Sequence, residues 1–227
     1  MKKLVIFDVD GLLLNTEFSW QKVWYMLGRE YGYPQLGDVF SRTVGLSGND
    51  TKMMIRKCAA DIPIPIQEEF LERARGEGAS YVQEHLTLMP GARALLAELK
   101  RNGISCAVAT TTNREFTDQR LNQVNVRQFF KCVVCGDEVA KRKPDPEIYL
   151  TVLEKTGTSK EEALILEDTN YGVEAAYRAG VDVIMVPSIN PAGEVDRKRA
   201  LAVLNRLTEV FSYGKSHQMF SNEQCKY

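Results

Sequence analysis

Beyond residue 90 the chain alternates short apolar runs with amphipathic stretches. "PGARALLAELKRNG" (90–103) places Leu95, Leu96 and Leu99 on one helical stripe and stops at Gly103. "ISCAVAT" (104–110) then predicts a buried strand, followed by a helix over 113–123 and a strand over 132–135. A helix from Pro146 to Lys155, a strand "ALILED" (163–168), a helix "YGVEAAYRAG" (171–180) and a strand "VDVIMV" (181–186) complete the series. The strands are apolar throughout and alternate with helices, which predicts an α/β fold with a parallel sheet covered on both faces. Residues 3–8 form one more short apolar strand, too short to stand alone, so they join the same sheet.

Residues 16–88 have a different texture, with helical periodicity and no convincing strand. Trp20, Val23, Trp24 and Leu27 fall at i, i+3, i+4 and i+7. Residues 47–60 and 65–86 also read as helices, the second interrupted around Gly76 and Gly78. The expected organisation is a catalytic core built from 1–15 and 89–213, with 16–88 inserted after the first strand as an all-helical cap domain over the sheet. Crossings near 14–17 and 86–90 would serve as hinges. Residues 214–227 lack periodicity and predict a loose C-terminal tail.

Composition narrows the function class without naming it. The chain has 227 residues, 44% hydrophobic and 26% charged, with a net charge of −1. That balance gives no basic footprint for nucleic acid and no sign of disorder. No apolar stretch approaches the roughly 18 residues of a membrane span. The N-terminal apolar run is short and ends in acid, unlike a signal peptide, so a cytoplasmic protein is expected. Five scattered cysteines read as reduced thiols. Cys132 and Cys135 form a lone C-x-x-C with no second pair or paired histidines to complete a zinc site. Two histidines, His85 and His217, make histidine-centred catalysis a poor expectation.

The chemistry is concentrated at strand ends. In "LVIFDVDGLLLNTE" (4–17) an apolar run gives way to Asp8 and Asp10, two carboxylates two residues apart. Ligands bind along the carboxyl edge of a parallel sheet. Thr110, Thr111 and Thr112 reach that edge after the second strand, Lys143 follows the third, and Glu167 and Asp168 follow the fourth. Singly, each has a plain structural explanation: a turn acid, a threonine satisfying backbone groups, a solvated lysine, or Asp145 capping a helix before Pro146. Together, converging carboxylates would repel unless a cation joined them. The available ligands are hard oxygens, which suit Mg²⁺ better than zinc. Carboxylates, a lysine and a hydroxyl around a divalent metal are equipment for phosphoryl transfer.

"DVDGLLLNTE", "ATTTNR", "KPDPEIY" and "LEDTNYGVEAA" resemble the four motifs of the haloacid dehalogenase superfamily, in that family's order. The nearest likeness is to the β-phosphoglucomutase-like branch, whose helical cap follows the first motif. The resemblance implies a Rossmann-like core, Mg²⁺ as cofactor and a phosphoric monoester hydrolase. It implies Asp8 as nucleophile and Asp10 as general acid/base, with the Asp10 backbone carbonyl also offered to the metal. Thr110, Thr111 and Lys143 would bind phosphate. Asp168 would bind the metal, with Glu167 beside it as a ligand or supporting group.

The mutases of this branch carry a His shortly after the first motif and an Arg in the cap. The corresponding positions here are Trp20 and Gly48, which favours hydrolysis of a small phosphorylated metabolite, a sugar phosphate or nucleotide, over mutase activity. Candidate substrate-facing positions are Thr16, Trp20, Trp24, Ser47 and Gly48. A receiver-like phospho-acceptor protein is a third alternative, disfavoured because receivers lack a cap insert and carry their aspartate on a middle strand. A monomer acting on a small molecule, without nucleic-acid or membrane partners, is expected.

Overall fold

The structure is a computed structural model and describes residues 1–46 and 48–220. The chain divides into two compact units, Met1–Leu14 with Thr87–Tyr227, and Asn15–Leu86.

The first unit is built on a six-stranded sheet. Its strands are β1 (Leu4–Phe7), β2 (Ser105–Ala109), β3 (Phe130–Val134), β4 (Ala163–Glu167), β5 (Asp182–Met185) and β6 (Ala202–Val203). They lie in the order β3-β2-β1-β4-β5-β6, and every neighbouring pair is parallel. This is the expected Rossmann-like α/β sheet. All four residues of β1 are fully buried, which explains their unbroken apolarity. On one face Leu4 and Ile6 pack with Ala107, Ala109 and Ile165 under helices α7 (Glu147–Thr156) and α8 (Asn170–Ala179). On the other, Phe7 meets Phe130 edge-on at 5.8 Å. Helices α5 (Ala92–Arg101) and α6 (Arg114–Gln123) supply the remaining connections predicted from periodicity.

β1 lies between β2 and β4, so the connections run outward in opposite directions from the sheet's centre. That reversal puts the carboxyl ends of β1, β2 and β4 side by side, where a crevice for ligands forms.

Two elements of this unit went unread in the sequence, and one expectation needs correction. β6 and the short helix α9 (Glu194–Arg199) before it carried no usable pattern, since a two-residue strand has no measurable period. The loose tail does not begin at 214. Helix α10 (Thr208–Ser216) continues through that point, and the Phe220 ring is buried and stacked on Phe211 at 5.4 Å. The remainder of the proposed tail, 221–227, lies outside the described residues.

The second unit is all-helical, with α1 (Thr16–Glu30), α2 (Gln35–Val39), α3 (Gly48–Cys58) and α4 (Ile64–His85). Its core is aromatic: Trp24 packs edge-on against Phe40 at 5.4 Å and Phe70 at 5.2 Å. The expected break in α4 is absent, and the helix runs for 22 residues. Gly78 is needed there for space. A Cβ on it would lie 2.0 Å from the Trp20 ring, so the glycine admits that ring against the helix.

Candidate active site

Asp8 follows β1 directly and is buried, as are Thr110 after β2 and Glu167 and Asp168 at the end of β4. Lys143 reaches them from the loop before α7. Its ammonium donates to Asp8 Oδ1 at 2.6 Å, to Glu167 Oε1 at 2.6 Å and to the Ala109 carbonyl at 3.0 Å. All three of its hydrogens are thus committed to protein acceptors. Asp145 supports this loop by accepting from the Glu147 amide at 3.1 Å, but the N-cap of α7 is Pro146 and not Asp145 as the sequence suggested.

Glu167 is held from several sides. Tyr149, in the first turn of α7, donates its hydroxyl to Glu167 Oε1 at 2.5 Å. Oε2 accepts from the Asp168 and Thr169 amides at 3.1 and 3.4 Å and from the Thr169 hydroxyl at 3.3 Å. Thr169 also caps α8 by accepting from the Gly172 amide at 3.2 Å. Gly172 stands where any Cβ would lie 1.8–2.2 Å from the Glu167 carboxyl atoms. Gly172→Ala is therefore expected to destabilise the protein by about 1–3 kcal/mol through overpacking. Thermal unfolding checks this, and an unchanged melting temperature would mean the carboxylate is free to move aside.

Asp10 faces a different set of groups. Arg120 of α6 donates to its Oδ1 at 2.8 Å, and Thr112 and Thr110 donate to its Oδ2 at 2.7 and 3.4 Å. The Thr112 amide in turn donates to Thr110 Oγ1 at 3.2 Å, and Thr111 lies half-buried in the same turn. Ser188, after β5, donates to Asp168 Oδ2 at 2.5 Å.

The electrostatics follow from burial and crowding. Burial raises the Asp8 carboxyl to about 7, with Glu167 and Asp10 adding to the effect and Lys143 opposing it. Burial alone would lower Lys143, but the charges of Asp8 and Glu167 hold it well above the usual lysine range. Tyr149 is raised by burial and by the Glu167 charge.

Asp8, Glu167 and Asp168 can each bring a carboxylate oxygen within 4.8 Å of the others. Three buried carboxylates against the Lys143 ammonium leave two formal negative charges, which a divalent cation would balance. An all-oxygen donor set of this size fits Mg²⁺. The Asp10 side chain is outside this cluster, engaged by Arg120 and the threonines, so it is not among the carboxylate donors.

The candidate substrate positions lie in the helical unit. Thr16 is buried, Trp20 is half-buried against Gly78, and Gly48 is exposed at the start of α3. Trp24 is a core residue of that unit, 4% exposed between two phenylalanine rings, and its stripe position reflects packing. Ser47 lies outside the described residues. Tyr149, Arg120 and Ser188 were missed in the sequence. Tyr149 sits inside "KPDPEIY", and a tyrosine at a helix position facing the core signals a hydroxyl in need of a partner. Arg120 and Ser188 carry no such signal.

Residues 5–186 match the family described as haloacid dehalogenase-like hydrolase. The chain belongs to that family. It is 34% identical over 214 residues to a phosphorylated carbohydrates phosphatase of Thermotoga maritima, covering 91% of this chain and 98% of the relative. A candidate β-phosphoglucomutase from the same organism superposes with a TM-score of 0.75 at 30% identity, over 95% of this chain and 99% of its own. CbbY of Rhodobacter sphaeroides, crystallised as a mutant with xylulose-(1,5)bisphosphate, gives 0.68 at 28% identity over 92% and 96%. Membership of this hydrolase family agrees with the phosphoric monoester hydrolase that the motifs implied. Among the described residues, no helix is long and apolar enough to cross a membrane.

Proposed function

We propose that the protein is a Mg²⁺-dependent phosphatase that hydrolyses a small phosphorylated metabolite, a sugar phosphate or nucleotide, through an aspartyl-phosphate on Asp8. The observation that carries this reading is Asp8 at the end of the central strand, buried beside Lys143 and within reach of Asp168. An Asp8 oxygen attacks phosphorus, the bond to the leaving oxygen breaks, and Asp10 gives that oxygen its proton. Asp10 then takes a proton from water as the water oxygen attacks phosphorus and the bond to Asp8 breaks. Thr110, Thr111 and Lys143 bind the phosphoryl oxygens, which requires Lys143 to share hydrogens now given to protein acceptors. Asp8 and Asp168, with Glu167 beside them and the Asp10 carbonyl as a further donor, would hold Mg²⁺. The metal would supply positive charge to offset the meeting of two anions.

The phosphatase named among the relatives supports hydrolysis. The structural likeness to a candidate β-phosphoglucomutase keeps a sugar-phosphate mutase as the second reading. A phosphate-release assay separates them, using hexose and pentose phosphates, β-glucose 1-phosphate, nucleoside monophosphates and pseudouridine 5′-phosphate, with Mg²⁺ and with EDTA. Metal-dependent release from one class is the expected result. Conversion of β-glucose 1-phosphate to the 6-phosphate without release would establish the mutase instead.

A further inference from the structure

We propose that Tyr149 is a positioning residue, whose hydroxyl fixes Glu167 as the anchor of Lys143 and keeps Glu167 out of the metal's direct ligand set. The proposal rests on the phosphatase reading for its turnover measurement but not for its binding measurements.

Glu167 accepts five hydrogen bonds: Lys143 and Tyr149 on Oε1, and the Asp168 amide, Thr169 amide and Thr169 hydroxyl on Oε2. A carboxylate offers about four lone-pair sites, so this one is saturated by protein donors. Direct coordination of a metal would strip at least one donor from a fully buried group, leaving that donor unsatisfied in the core. Tyr149 is the donor whose loss is least affordable. It is fully buried and has its hydroxyl on the same oxygen that holds Lys143. Its ring face also lies 5.0 Å from the Lys143 ammonium. A phenylalanine would fill the same core volume. The hydroxyl therefore adds something packing does not require, namely a fixed orientation of Glu167 and, through it, of Lys143.

The chain of contacts runs Tyr149 to Glu167 to Lys143 to Asp8. Its consequence is a division of labour among three neighbouring acids. Asp8 and Asp168 are left for the metal, while Glu167 holds the lysine that faces the phosphoryl group. Lys143 matters most where charge builds up during transfer, so disturbing its position should lower kcat more than it raises KM.

The test is Tyr149→Phe in the full chain, with turnover, Mn²⁺ binding by electron paramagnetic resonance, and binding of inorganic phosphate to the Mn²⁺-loaded protein by calorimetry. The expected result is a kcat at least about tenfold lower with KM raised by a smaller factor, about fivefold, the scale of one lost hydrogen bond to a charged group. Mn²⁺ affinity should stay within about threefold, and phosphate affinity should fall about fivefold or more. Unchanged kcat and phosphate affinity would overturn the proposal. So would a parallel loss of Mn²⁺ affinity and kcat, because Glu167 would then be a direct ligand. If no compound in the panel is hydrolysed, the phosphatase reading fails, yet the two binding measurements still decide the role of Tyr149. If the variant does not fold, Glu167→Gln replaces it. That variant should keep Mn²⁺ binding that Asp168→Asn loses, and equal losses in the two would overturn the proposal.

Discussion

Asp8→Asn is expected to abolish turnover and, in metal-free protein at pH 8, to raise the melting temperature. The first effect follows from the proposed nucleophile: an amide cannot form the acyl phosphate, so a loss on the order of 10³ or more in kcat is expected. The second follows from burial. The Asp8 carboxyl is raised from 3.8 to about 7 in the fold. Stability tied to this group is fully present below about 3.8 and is lost as pH rises through about 7, because the unfolded chain ionises it freely and the fold does not. Above that range its ionisation costs the metal-free fold on the order of a few kcal/mol. Asparagine removes the cost while its carbonyl still accepts from Lys143. Melting curves in EDTA at pH 5 and pH 8 check the sign: the variant's advantage should be large at pH 8 and shrink toward pH 4. A variant less stable than wild type at pH 8 would mean that Asp8 is not held in this buried, crowded state.

Much of this site was legible because its chemistry contradicts its setting. Asp8 ends a strand whose four residues are all fully buried, and a carboxylate there demands a counter-charge. Glu167 and Asp168 were legible for the same reason, at the end of the apolar run of β4, whereas Lys143 lies in a polar loop well past β3 and was legible only through "KPDPEIY". What could not be read was side-chain direction. Asp8 and Asp10 share a strand end, and nothing in the sequence shows that the Asp10 carboxylate turns to Arg120 and Thr112. Arg120 is one polar residue on a polar helix, and only the packing of α6 against the turn after β1 gives it a partner. The fold shows the same division. Continuous apolar strands identified the parallel sheet, whereas Gly76 and Gly78 were read by propensity as a break. The need to seat Trp20 against Gly78 outweighed that propensity.

Lys143→Met is expected to do to stability the opposite of Asp8→Asn, although both remove one charge from the same cluster. Lys143 is 5% exposed in its side chain and lies 2.6 Å from both Asp8 and Glu167. With Asp168 included, the wild-type cluster carries two formal negative charges. Asparagine at position 8 brings that to one, while methionine at position 143 brings it to three, all buried and without a cation. Removing one partner of a buried ion pair costs about 3–5 kcal/mol, because the stranded acids are left buried without their counter-charge. For a chain of this length that is a fall of roughly 6–20 °C in melting temperature. Turnover should be lost with it, since the residue that neutralises the phosphoryl group is gone. Two conditions should restore part of the stability: low pH, which protonates Asp8, and Mg²⁺, which replaces the missing positive charge. A general defect in packing would respond to neither, because methionine fills the lysine's apolar stem and leaves only its charge absent. Melting curves of the two variants, each with EDTA and with Mg²⁺, are the decisive comparison. Shifts of the same sign in EDTA would show that the acids and Lys143 do not act as one charge cluster.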